Sequence, residues 1–121
     1  MKVVIDLIED IRESINNSES YNLTAMLLKE EKAQESKLIY AGEAPIGSFR
    51  MDESNKILFL EVDKEKKALS VGELVKHLLI LDMDKMMYEV KILVSSRHPS
   101  KEVVGFGFNA TDAKYVLFIM A

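Results

Sequence analysis

One short loop of the sequence concentrates side chains that can bind an anion. Its residues Ser96, Arg97, His98 and Lys101 stand between two strand-like stretches. A guanidinium holds a phosphate or carboxylate through two parallel hydrogen bonds, and an ammonium or a hydroxyl adds further donors. These four are therefore candidate anion-binding residues. The same composition is also typical of an exposed turn between two strands.

Motifs for catalysis or metal binding are missing from the sequence. The chain has no cysteine, which excludes disulfides, thiolate metal ligands and cysteine nucleophiles. Its two histidines, His77 and His98, form neither an H-x-x-x-H nor an H-E-x-x-H pair. The pair Gly105-x-Gly107 lies in a strand-like pattern rather than in a phosphate-binding loop. The sequence therefore predicts no cofactor, no metal and no catalytic residues, and it favours a protein that is not an enzyme.

Length and charge narrow the class of protein. A chain of 121 residues is one domain of ordinary size, with room for a core. Its net charge is −4 and it has no basic stripe, which disfavours nucleic-acid binding because that depends on neutralising phosphates. No uninterrupted apolar run suits a signal peptide or a membrane span. We expect a cytoplasmic protein that does not insert into a membrane.

The most informative stretch combines a capped helix, a tight turn and a strand. Ser70 and Glu73 form an S-x-x-E capping box, in which each side chain bonds the other residue's backbone amide. Asp82 and Asp84 favour a turn, and the alternation over residues 88–94 predicts a strand. The apolar residues of the helical pattern are Val71, Leu74, Val75, Leu78, Leu79 and Leu81.

The first half of the chain follows a similar order. Its charged stretch, residues 29–37, is interpreted as a loop or a strand extension, and residues 42–45 are predicted to break the strand before them because they contain Gly and Pro. The predicted elements are a helix over 3–16, a strand over 21–27, a short strand over 38–41, and a hairpin of strands 46–51 and 57–62.

The two halves align as an internal repeat. A shift of 67 residues places Tyr21 on Tyr88 and superimposes the two apolar helix patterns. A shift of 58 residues then places Gly47 on Gly105 and aligns the two hairpin loops. Two similar patterns that arose by chance would predict the same secondary structure.

The fold class follows from this order of elements. We predict an α+β fold made of two tandem helix–β–β–β units, with an antiparallel sheet and the helices packed on one of its faces. Residues 1–121 then form a single domain built from two similar halves, 4–62 and 71–120.

The final predicted strand, residues 115–120, is apolar on both faces. A sheet covered by helices on one side has alternating strands, so the second face of this strand must also be covered. An ordinary central strand of the core satisfies this condition, and so does a subunit interface. We predict a homodimer, because exposed apolar patches are uncommon on monomers. The candidate interface residues are Phe106, Phe108, Phe118 and Met120.

Two resemblances bear on function. The stretch that begins at Ser70 is similar to the opening of small phage- and prophage-type domains, which read T-V-x-E-L-I-x-x-L-x-x-L-D-x-D before a strand. These domains mostly carry no assigned activity, so the resemblance implies no catalytic residues. The order helix, three strands, helix, three strands also resembles type III secretion chaperones, which implies a small acidic dimer that binds extended partner segments. The matching residues of the first resemblance are Ser70, Val71, Gly72, Glu73, Leu74, Val75, Leu78, Leu81, Asp82 and Asp84.

The function that these observations favour is a non-catalytic protein-interaction or assembly module that self-associates. The alternative is a small anion- or ligand-binding protein, or an enzyme, that uses the loop over residues 95–101.

Overall fold

The computed structural model describes residues 1–13, 18–31, 37–95 and 97–120 and has an α+β fold. Short 3-10 turns at Ser18–Ser20 and Met83–Met87 precede two of the strands. The helices and strands of the described residues are α1 (Val4–Glu13), β1 (Asn22–Glu31), β2 (Lys37–Asp52), β3 (Ile57–Val62), α2 (Val71–Leu78), β4 (Glu89–Leu93), β5 (Lys101–Asn109) and β6 (Lys114–Met120).

The six strands form a closed barrel in chain order. Four neighbouring pairs are antiparallel, but β3 pairs with β4, and β6 with β1, in parallel. The prediction of an antiparallel sheet is therefore wrong for these two pairs of strands, which form the parallel seams of the barrel. A parallel pair needs a crossover between its strands, and α2 lies in the connection from β3 to β4.

Alternate residues of the strands form the core of the barrel. Tyr115, Leu117 and Ile119 of β6 are buried, and they lie beside Leu23, Ala25 and Leu27 of β1 in parallel register. Both helices bury their apolar residues in the same core, which follows from the helical spacing of those residues. The buried helix residues are Val4, Leu7, Ile8 and Ile11 of α1 and Val71, Leu74 and Leu78 of α2.

Each helix begins beside the start of a strand. The Val4 amide of α1 donates to the Tyr88 carbonyl just before β4, at 2.9 Å. The Val71 amide of α2 donates to the Tyr21 carbonyl just before β1, at 2.8 Å. The helices thus lie near the N-terminal ends of β4 and β1, which leaves the C-terminal ends of these strands at the other end of the barrel.

Each of the two helix caps contains one of the two hydrogen bonds that make up a capping box. The Ser70 hydroxyl accepts from the Glu73 amide at 3.1 Å, as predicted for α2. In α1 the reciprocal bond is present. The carboxylate of Asp6, inside the helix, accepts from the amide of Val3, which precedes the helix, at 2.9 Å. Both bonds satisfy an amide that has no partner within its own helix.

The two hairpin turns have the same construction. Asp52 accepts from the Asn55 amide at 3.1 Å, and Asn109 accepts from the Asp112 amide at 3.2 Å. Each turn ends at a residue in the left-handed region, Lys56 at φ 57° or Ala113 at φ 53°.

These turns, and the bulges beyond them, correspond at a shift of 57 residues rather than the predicted 58. The extra residue of the bulge is Gly47 in β2 and Val104 in β5, so Gly47 does not correspond to Gly105.

Strand β2 runs through the segment that was predicted to break it. Pro45 pairs with Thr24 of β1, while Ile46 pairs with Val62 of β3, so β2 changes its neighbour at this point. Proline is tolerated where a strand changes its partner, because the amide that it lacks is not needed there. The Pro45 carbonyl remains in use and accepts from the Asp63 amide at 3.1 Å.

Candidate functional site

The predicted anion-binding residues are only partly brought together. Arg97 and His98 are exposed in the connection from β4 to β5, and Ser96 lies outside the described residues. The Arg97 amide donates to the Ser95 hydroxyl at 3.3 Å, which shapes the turn without ordering the guanidinium. Lys101 differs from them, because it is half-buried and pairs directly with Ile92 of β4.

The predicted interface residues lie on two different faces. Phe106 pairs with Leu117 and Phe108 pairs with Tyr115, so both lie on the inner face of β5, although Phe108 is 42% exposed near the end of the strand. Phe118 lies on the opposite, outer face with Met120. No single flat surface therefore presents all four, and the reason is that a bulge at Val104 shifts the alternation of β5 by one residue.

Phe118 packs on its own chain. On the outer face of the barrel it lies across Gly105 and Gly107 of β5, and a Cβ at Gly107 would stand only 3.0 Å from the ring. Phe118 is consequently half-buried without any partner molecule. Because the two glycines have no side chains, they leave room for the ring to pack closely against β5.

A cavity of about 480 Å³ opens at the end of the barrel where β1, β3 and β4 finish. We call it the mouth cavity. Its residues come from five strands or strand ends, and the apolar ones continue the inward-facing rows of the core. The lining residues are Ala25, Leu27, Gly42, Glu43, Ala44, Val62, Asp63, Lys64, Val94 and Ile119.

The acidic groups of the mouth cavity are already bonded within the chain. Glu43 of β2 forms an ion pair with Lys114 of β6 at 2.7 Å. The two side chains meet across β1, on the outer face of the barrel. An oxygen of Asp63 accepts from the Glu65 amide at 3.0 Å. Lys64 is exposed and forms no ion pair with any residue that the structure describes.

A second surface is apolar and fully open. Between α2 and β4, four large side chains are exposed within nine residues: Leu79 (59%), Ile80 (78%), Met83 (85%) and Met87 (67%). We call this the 79–87 surface. Leu81 and Met86 of the same segment face inward and pack against the core. Isolated exposed apolar residues are common on proteins. Four large ones within nine residues are candidates for an exposed apolar patch, the kind of surface that usually marks an interface.

An ion pair joins the 79–87 segment to the turn of the first hairpin, between β2 and β3. Lys85 reaches Glu53 at 2.7 Å, and this bond raises the pKa of the Lys85 ammonium above its ordinary value. The sequence pattern missed the surface, because Leu79 fits the helical spacing although α2 ends at Leu78. The position of Asp82 could have revealed this surface. Aspartate favours a turn, and Asp82 directly follows four consecutive apolar residues.

In the described part of the chain, every buried side-chain nitrogen or oxygen has a hydrogen-bond partner. The Tyr115 hydroxyl donates to the Asp10 carboxylate of α1, and burial is the main cause that raises the pKa of Tyr115. His77 is exposed on α2, and its ring centre lies 5.1 Å from that of Phe49. Among the residues of known placement, no group of His, Asp and Glu is arranged to hold a metal ion. Neither α1 nor α2 is long and apolar enough to cross a membrane.

Comparison of the chain with protein-family models, with curated proteins and with solved structures finds no match.

Proposed function

We propose that this chain is a non-catalytic protein-interaction module that self-associates through the 79–87 surface. The observation that carries the proposal is the exposure of Leu79, Ile80, Met83 and Met87 in one short segment. Burying such side chains against another molecule is favourable because apolar area leaves water. Methionine suits an interface because its flexible thioether side chain adapts to the shape of its partner.

The 79–87 surface is a better centre for this contact than the predicted aromatic residues. Phe118 already packs on Gly105 and Gly107, and Phe106 is half-buried with its ring 6.4 Å from that of Tyr115. Phe108 is 42% exposed and the other two are half-buried, so each has a smaller fraction of its side chain left to bury than Met83 has. Met83, at 85% exposed, has almost its whole side chain to bury.

The charges beside the surface give self-association a distinctive salt dependence. Asp82 and Asp84 are exposed next to Met83. A two-fold axis through this surface brings the acidic groups of both copies near one another, and like charges repel. Added salt screens that repulsion, so the dimer is expected to tighten as the salt concentration rises. A basic partner bound at the same surface would instead dissociate.

Sedimentation velocity tests the proposal. We expect the wild-type chain to form a dimer at tens of micromolar, within the range of stable protein contacts. Met83→Asp together with Met87→Asp should return it to the 13.7 kDa monomer. Val104→Asp, at an exposed apolar residue on another part of the surface, is the matched control and should leave the dimer intact. Far-UV circular dichroism verifies that each variant is folded.

Two results would contradict this assignment. A wild-type chain that stays monomeric at that concentration removes self-association. A dimer that Phe118→Asp dissociates while the methionine variant does not would move the interface to the outer face of β6.

We also propose that the halves 4–62 and 71–120 descend from one helix–β–β–β unit. Pairs of equivalent hydrogen bonds support this origin: a shift of 67 residues turns the bond from the Val4 amide to Tyr88 into the bond from the Val71 amide to Tyr21. The likeness to phage-type domains and to secretion chaperones, and the cytoplasmic location, stay predictions.

A further inference from the structure

We propose that the mouth cavity binds an apolar carboxylate, such as a medium-chain fatty acid, with its tail inside the barrel and its carboxylate at the rim. This binding is separate from self-association, because the cavity and the 79–87 surface share no residue.

The walls of the mouth cavity suit an aliphatic tail. Leu27 and Gly42 are direct partners across β1 and β2, and Leu27 lies beside Ile119 of β6. Val62 and Val94 continue the rows that contain Leu60 and Ile92, which are fully buried deeper in the barrel. An apolar wall of this kind with a few polar groups at its edge is the usual construction of a small-molecule site.

The cavity is open because its side chains are small. A Cβ added at Gly42 meets no atom within 4 Å, and its neighbours Ala25 and Ala44 are also small. A space of about 480 Å³ falls within the range of known ligand sites, which extends from ~300 to 1,000 Å³.

One side of the barrel wall is shorter than the other at this end. Strand β1 pairs with β2 from Thr24 to Glu31, whereas the pairing of β4 with β5 is confined to Lys91 and Ile92. The chain beyond Leu93, the last residue of β4, therefore leaves the wall at a level where β1 and β2 continue. We expect a ligand to enter on this shorter side, beside Val94, which lines the cavity and is 39% exposed.

The charges at and near the cavity favour an anion, with Lys64 among its lining residues and Lys101 outside that set. Lys64 lines the cavity, and Lys101 lies on the inner face of the barrel because it pairs with Ile92. In the parts of the chain with known placement, neither ammonium has an ion-pair partner. Glu43 is neutralised by Lys114. Asp63 keeps its negative charge, although one of its two oxygens accepts from the Glu65 amide. The two ammonium groups therefore outnumber this single carboxylate. A carboxylate head is thus favoured over an ammonium head.

Titration calorimetry with three probes that share one tail tests the chemistry of the ligand. Decanoate, decylamine and decanol are added below the concentrations at which they aggregate. We expect decanoate to bind one site per chain, decanol to bind more weakly, and decylamine not to bind. Lys64→Ala and Lys101→Ala should each weaken decanoate by up to about fivefold, as exposed ion pairs do.

A cavity-filling variant tests the place. Gly42→Leu directs a leucine side chain into the mouth cavity opposite Leu27, and Gly42 has no positive φ that would strain the substitution. We expect it to abolish decanoate binding. Ala110→Leu in the second hairpin turn is the matched control, since it adds a similar side chain outside the cavity. The Met83→Asp, Met87→Asp variant should still bind decanoate, which separates this site from the 79–87 surface.

Three outcomes would overturn the inference. Equal binding of decanoate and decanol would show that the rim does not select a carboxylate. Preferential binding of decylamine would assign the rim to Asp63 and Glu43. Undiminished binding of decanoate to Gly42→Leu, with its folding verified by circular dichroism, would place the ligand elsewhere on the protein.

Discussion

The phenol of Tyr115 donates a hydrogen bond to the carboxylate of Asp10, which joins β6 to α1 across 105 residues of sequence. Tyr115 is fully buried, so its hydroxyl depends on this acceptor. Tyr115→Phe leaves the half-buried carboxylate without that donor. We expect a loss of about 1–3 kcal/mol in the free energy of unfolding, measured by urea titration. Asp10→Asn keeps an acceptor oxygen and should cost less.

The same bond predicts how stability changes at alkaline pH. Burial first, and then the Asp10 carboxylate, raise the pKa of Tyr115 above its ordinary value of 10.0. Above that pH an unfolded chain loses the phenolic proton while the folded chain keeps it, so the stability supplied by Tyr115 falls. The wild type should therefore lose stability more steeply than Tyr115→Phe as the pH rises through 10. Parallel slopes for the two proteins would contradict this expectation.

Alanine substitutions at Gly105 and Gly107 form a matched pair that tests how the Phe118 ring packs. A Cβ at Gly107 would stand 3.0 and 3.3 Å from two ring carbons, whereas at Gly105 it would make an ordinary contact of 3.7 Å. Gly107→Ala should destabilise the protein by about 1–3 kcal/mol because the ring must move. Gly105→Ala should be neutral or stabilise it by up to about 1 kcal/mol, since alanine restricts the unfolded chain. Thermal unfolding compares the two variants, and equal effects would argue against this place for the ring.

The Ser70 cap can be tested alone. Ser70→Ala removes the acceptor of the Glu73 amide and should cost about 0.5–2 kcal/mol. Glu73→Ala retains that amide and serves as the control, with an expected change within about 0.5 kcal/mol, as for other exposed positions. Denaturant titration measures both. An unchanged midpoint for Ser70→Ala would mean that the cap does not stabilise α2.

The carboxylate of Asp52 should make the stability of the first hairpin turn depend on acidic pH. Hydrogen bonds from the side-chain and backbone amides of Asn55 lower the pKa of Asp52 below 3.8. Its contribution is complete above that pH and is lost as the pH falls through the lowered value. Asn109 fills the same place in the second turn without a charge. Asp52→Asn should therefore flatten the acid side of the stability profile, and an unchanged profile would exclude this contribution.

Local features of the fold could be predicted from the sequence because adjacent residues determine them. The α2 cap depends on Ser70 and the spacing of three residues to Glu73. The first hairpin was placed correctly since Asp52 and Asn55 are strong turn formers and apolar strands flank them. Both features arise within a few residues of chain.

Features that depend on distant pairing could not be predicted in the same way. The parallel seam of β6 with β1 joins Tyr115 to Leu23, and no local pattern distinguishes a parallel partner from an antiparallel one. The mouth cavity has the same origin, because it exists only where the ends of strands from both halves meet. Lys64 consequently looked like an ordinary surface charge in the sequence, and Lys101 was predicted to bind an anion only together with Ser96, Arg97 and His98.

The parallel seam of β6 with β1 also governs when the molecule can fold during synthesis. Strand β1 leaves the ribosome before the other five strands, but one of its two edges stays unpaired until β6, the last of the six, has emerged. Pairing of this kind is non-local and hence slow to form. Meanwhile β1 presents an open edge to other chains, which favours aggregation. Newly made chains should therefore depend on protection of that edge until β6 has emerged from the ribosome and paired with β1.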